Sequence, residues 1–131
     1  MFDFLSKEWI EFCRKLIAER KDIEERLRGF GANIKYYVED DRGNEIGAVE
    51  LRVENGRIVY LGEVRSNTFD YEIGARLEVW KAIATGEIGP RFALITKKLK
   101  FKGSLIEVFK YEDVLEDIIS TFSSIPTRWS L

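Results

Sequence analysis

Histidine and glutamine are missing from this chain altogether, cysteine and methionine occur once each, and proline appears twice in 131 residues. Without histidine the sequence lacks the usual general base near neutrality and the commonest ligand of zinc, which removes serine- and cysteine-based triads and histidine metal sites from consideration. A lone Cys13 cannot close an internal disulfide. There is no apolar run of membrane-spanning length and no basic segment followed by an apolar one at the start. The expected setting is therefore the reducing cytoplasm. Charge of one sign is also lacking: 21 basic residues against 23 acidic give a formal net charge of −2, so no whole-molecule field attracts nucleic acid or an anionic membrane. Any basic patch has to be local.

What remains is rich in charge (34 %), and together with the missing glutamine and histidine and the single cysteine and methionine this is a composition that accompanies heat-stable proteins. The length suits one domain over residues 1–131 that buries its core without metal or disulfide staples, with residues 123–131 read as a tail carrying Trp129 and Leu131. Ser6 is placed to cap a helix over Lys7 to Glu19, in which Trp9, Phe12, Cys13, Leu16 and Ile17 recur at helical spacing. Ile23 and Leu27 continue a weaker periodicity that stops at Gly29.

From Ala32 the period changes to two. Ile34, Tyr36 and Val38 alternate with polar partners, and the stretch DDRGNE, residues 40–45, makes a turn. A second strand then places Gly47, Val49, Leu51 and Val53 on one face. Asn55-Gly56 predicts a type I′ turn into an antiparallel strand over Arg57 to Val64. Here Val59 and Leu61 put apolar residues on both faces. A further strand is expected over Thr68 to Ile73, then a helix with Leu77, Trp80, Ile83 and Ala84 that Gly86 ends. Pro90 suits the first turn of a short helix carrying Phe92 and Ile95. The pattern of Lys97 to Lys102 gives a strand with Leu99 and Phe101 inward and lysines outward. One last helix is expected from Ser104 through Phe122. The order implies an α+β layout with helices gathered on one face of a sheet.

Three segments carry a resemblance: FLSKEWIEFCRKL at residues 4–16, FDYEIGARLEVWKAIATGE at residues 69–87 and GPRFALITKKLKFKG at residues 89–103. In their order and spacing they resemble the sterol carrier protein 2 family in its small stand-alone archaeal and bacterial form. The matching features are Asp70-Tyr71, Trp80, Thr85-Gly86, Pro90 and the run Lys98 to Gly103, with Lys97 standing where such proteins often carry glycine. The resemblance implies an antiparallel sheet of about five strands, helices over one face, and an apolar tunnel that takes lipids or fatty acyl chains. It further implies a carrier with no catalytic residue, metal or cofactor.

On that reading the Gly86–Pro90 hinge splays two short helices, leaving room for a chain between them and the last strand. Leu77, Trp80, Ile83, Phe92 and Ile95 would face Leu99 and Phe101, with Leu105, Val108 and Phe109 as a lid. The same residues would serve a filled core. The alternative is therefore a protein-interaction or accessory module with this fold and a closed cavity. Lys98, Lys100 and Lys102 offer a transient contact with an anionic membrane surface, or simply discourage edge pairing. Gly86-Glu87-Ile88-Gly89 has the form of a nucleic-acid-clamping loop, but Glu87 opposes phosphate and no nucleic-acid partner is expected. The cluster Glu39, Asp40, Asp41 and Glu45 reads as a solvated turn, since Gly43 is misplaced for a calcium loop.

Overall fold

The computed structural model describes residues 1–131. The elements run β1 (Phe2–Asp3), α1 (Lys7–Glu19), α2 (Asp22–Arg26), β2 (Ala32–Glu39), β3 (Glu45–Glu54), β4 (Arg57–Gly62) and β5 (Tyr71–Arg76). They continue with α3 (Leu77–Ala84), α4 (Pro90–Ile95), β6 (Lys100–Lys102), α5 (Leu105–Lys110), α6 (Glu112–Ser120), a 3₁₀ turn (Thr121–Ser124) and β7 (Thr127–Arg128). Ser6 caps α1 as its sequence position suggests, its hydroxyl accepting from the Trp9 amide at 3.2 Å. Asn55 and Gly56 both take positive φ, 48° and 83°, as the tight β3–β4 turn requires.

Five strands form one sheet in the order β4-β3-β2-β5-β6. Its registers create two apolar rows on the helix-covered face. Leu61, Leu51, Ile34 and Tyr71 lie abreast in one, and Val49, Tyr36, Ile73 and Phe101 in the other. The sheet is mixed, which corrects the all-antiparallel expectation: β5 runs parallel to β2. After β4 the chain crosses the uncovered face and enters on the far side of β2. Glu50 clasps this crossover by accepting from the amides of Arg65 (2.8 Å) and Ser66 (2.9 Å). Periodicity finds a strand but does not say which neighbour it pairs with.

Four boundaries also differ from the sequence pattern. The bulge opposite Arg52 and Val53 sets Ile58 beside Val53 and Leu61 beside Leu51, leaving Val59 as the extra, exposed residue. This explains the two-faced apolar pattern of β4. Thr68 to Asp70 belong to the crossover, and β5 runs on to Arg76. Lys97 takes a positive φ of 62°, so the last strand shrinks to Lys100–Lys102. The single helix expected after Ser104 is two, broken at Tyr111, whose ring packs on Phe30 at 5.0 Å while its hydroxyl donates to the Arg28 carbonyl.

The tail is part of the packing. β7 pairs in parallel with β1, Trp129 lies 4.6 Å from Phe4 between ring centroids, and the Trp9 indole donates to the Thr127 hydroxyl at 3.0 Å. A cluster of 26 buried apolar residues runs between the sheet and the helix layer. No helix is long and apolar enough to cross a membrane.

Candidate functional site: an apolar cleft under the last helices

The helix layer closes unevenly over the sheet. Trp9, Cys13 and Ile17 of α1 cover Val49, Leu51 and Leu61, and the void left there is about 30 Å³. Burial pushes the Cys13 thiol up to about 12, so it stays protonated and inert. Over the β2–β5–β6 half the cover is looser, and a cleft of about 290 Å³ remains. Two local features leave it open. β6 has three residues, and α5 buries none of its own side chains.

Ile34, Tyr36, Tyr71, Ile73 and Phe101 form the floor of the cleft. Pro90, Leu94 and Ile95 of α4, Val108 and Phe109 of α5, and Leu115 and Ile119 of α6 make the walls, with Phe30 and Leu99 completing the lining. Burial holds the phenols of Tyr36 and Tyr71 above their usual range, for Tyr71 with help from the Glu107 carboxylate, so both present neutral rings. The charged lining residues are Arg91, Glu112 and Glu116. Arg91 Nε lies 2.7 Å from Glu112 Oε1 and ties the first turn of α4 to that of α6. Glu112, Leu115, Glu116 and Ile119 fall at i, i+3, i+4 and i+7, which is why one face of α6 brings both carboxylates to a greasy wall. Phe92 and Ile106 are exposed, Ile106 by 78 %, and so are the wall residues Ile95 and Phe109.

Of the ten residues named from sequence, Ile95, Leu99, Phe101, Val108 and Phe109 meet in this cleft. Trp80 borders the packed half instead, its indole donating to the Tyr37 carbonyl at 3.0 Å and its ring edge-on to Tyr36. Ile83 is buried in the core, Leu77 is packed against it, and Phe92 and Leu105 are exposed. Sequence reasoning had Ile34, Tyr36, Tyr71 and Ile73 on strand faces without recognising a cavity floor. It passed over Leu94, and nothing in it marked Arg91, Glu112 or Glu116.

The other candidates resolve into local structure. Lys100 Nζ sits 3.0 Å from Glu39 and Lys102 Nζ 3.7 Å from Glu72, so much of the lysine strand is compensated by its own sheet. Gly86, with φ of 78°, ends α3. The Asp40 carboxylate accepts from the amides of Arg42 and Asn44, bonds that hold it below the usual carboxylate range and build the β2–β3 turn. No cluster of three or more acidic, cysteine or histidine side chains is positioned to hold a metal ion.

An antiparallel-rich sheet with all its helices on one face, enclosing an apolar cleft, defines an SCP2-like α+β protein. The model of the SCP-2 sterol transfer family matches residues 13–116, and the chain belongs to that family. Its fold is similar to a crystal structure of sterol carrier protein 2 (TM-score 0.76, 20 % identity, 94 % of this chain and 99 % of that one). A solution structure of a conserved hypothetical protein from Thermus thermophilus, with a provisional sterol-carrier assignment, is alike to the same degree (0.76, 20 %, 99 % and 94 %). The sterol carrier protein domain 2 of Helicoverpa armigera follows (0.60, 19 %, 90 % of each). No curated protein matches the sequence.

Proposed function

We propose that this protein is a non-enzymatic lipid carrier that holds one acyl or isoprenoid chain in the cleft between β2–β5–β6 and helices α4, α5 and α6. The observation that carries the reading is the lining: thirteen of seventeen residues are hydrophobic, and the charged ones stand together on α4 and α6. Each methylene transferred from water into such a space contributes about 0.8 kcal/mol. Small-molecule sites run from about 300 to 1,000 Å³, and a cleft of about 290 Å³ suits a slender chain better than a bulky ring system. The family's general association with lipid binding and transfer supports the same conclusion.

The test is native mass spectrometry of protein taken directly from cells, with displacement of a fluorescent acyl probe. Leu115→Trp, which fills the cleft, is expected to lower probe affinity several-fold and leave the fold intact. Absence of co-purified lipid together with probe binding unchanged by Leu115→Trp would sink the reading. The exposed Phe92, Ile95, Ile106 and Phe109 favour a second one, an accessory module that docks a protein partner through α4 and α5. In that case the same four residues would be needed for partner capture and the acyl probe would not bind. The contact of Lys98, Lys100 and Lys102 with an anionic membrane has its freest charge at Lys98, because the other two face carboxylates.

A further inference from the structure

The charges lining the cleft do not balance. Arg91 is the cation among them, and its guanidinium is already matched to Glu112 across the 2.7 Å contact. Glu116, one turn further along α6 and half-buried beside Leu115, has no ion-pair partner. The next basic side chain along α5, Lys110, is not part of the cleft lining and borders an adjoining surface hollow, which shares Phe109 and Glu112 with the cleft and also takes in Arg26 and Asp113. The nearby Glu107 carboxylate adds no positive field and accepts from the Tyr71 hydroxyl at 3.2 Å. A ligand group that reaches the α6 wall of this cleft therefore meets an uncompensated carboxylate.

Resting on the carrier reading above, we infer that the cleft selects lipids with an uncharged head, such as a long-chain alcohol or a neutral isoprenoid, against free fatty acids, and that Glu116 sets this preference. An ionised fatty acid would bring a second carboxylate to the mouth with no free guanidinium to receive it. Like charges a few ångströms apart in a solvated setting repel by roughly 0.7–1 kcal/mol, equivalent to a three- to five-fold loss of affinity. A neutral alcohol meets no such penalty, and its hydroxyl has carboxylate oxygens available as acceptors.

The experiment compares oleyl alcohol with oleate, at a pH where the acid is fully ionised, in the intact chain and in single variants. The alcohol's greater apolarity favours it in any site, so the readout is the change in the affinity ratio between variants. Glu116→Gln is expected to improve oleate binding about three-fold relative to oleyl alcohol. Arg91→Gln, which frees Glu112, should weaken oleate further. Asp113→Asn removes the same formal charge away from the cleft lining and should leave the ratio as it was. A ratio indifferent to Glu116→Gln, or moved equally by Asp113→Asn, overturns the inference but not the carrier. Failure of both lipids to bind overturns the carrier reading and the inference with it.

Discussion

Glu50 is 1 % exposed, on the sheet face away from the helices, and its carboxylate takes two backbone amides and the Ser66 hydroxyl at 2.8 to 2.9 Å. Burial alone would raise its pKa, but these donors outweigh it and hold the group at about 2, against an ordinary value of 4.5. A depressed carboxylate pKa contributes stability that is fully present above the ordinary value and disappears as the pH falls through the depressed one. Urea denaturation of the native chain should therefore show stability declining between those two values. Glu50→Ala should lose about 3 kcal/mol at neutral pH, by orphaning two buried amides, and should lack that part of the acid dependence. Gly74 has a different constraint: a Cβ there would collide with the Tyr37 ring, which lies over the glycine. Gly74→Ala is expected to cost about 1–3 kcal/mol by displacing that ring, and pairing it with Tyr37→Ser should recover most of the loss. At Lys97 the side chain is the misfit, since φ of 62° suits glycine. Lys97→Gly should raise the midpoint of thermal unfolding slightly, by up to about 1 kcal/mol of stability.

Among the elements, α5 is the least secured. It buries no residue, its Ser104 makes no side-chain capping bond, and its Glu107 meets Tyr71 through one hydrogen bond. Amides of Leu105 to Lys110 should exchange with solvent faster than those of α1, α3 and α6, and occupancy of the cleft should slow them, because Val108 and Phe109 then gain apolar neighbours. Hydrogen exchange with and without oleyl alcohol measures both. Ile83→Trp provides the contrast to Leu115→Trp: Ile83 is packed in the core, so this change should cost about 1–3 kcal/mol and move probe binding little. The elements with strong local codes were legible in the sequence, namely the Ser6-capped helix, the alternation of β2 and β3, the Asn55-Gly56 turn and the Pro90 start of α4. The parallel seat of β5, the bulge at Val59 and the break at Tyr111 were not, because each is decided by partners distant in the chain. The cleft was half legible for the same reason. Periodicity marks which residues are apolar, but whether a stripe packs tightly, as at Trp80 and Ile83, or stands off from its neighbour, as at Leu94 and Leu115, depends on how far the opposing element reaches.

At the scale of the whole molecule, the two ends of the described chain stitch the α1 side together. The Phe2 amide donates to the Pro126 carbonyl at 2.8 Å, the Phe4 amide to the Arg128 carbonyl at 3.0 Å, and Thr127 receives the Trp9 indole. Thr127→Val should leave that indole N–H unpaired in the interior and cost about 1–2 kcal/mol, with lipid affinity unchanged because Trp9 borders the packed half and not the cleft. The β1–β7 pairing also has a biosynthetic consequence. Its partners lie 125 residues apart, as between Asp3 and Arg128, so at about 5–20 residues per second a ribosome takes roughly 6–25 s to supply the second after the first. Late in that interval, once the strands between have emerged, the first helix has sheet to lie on but no lock at its start. A nascent chain arrested with Thr127 still inside the exit tunnel is expected to be cut by protease around Phe4 to Phe12, and the same chain released from the ribosome to resist it.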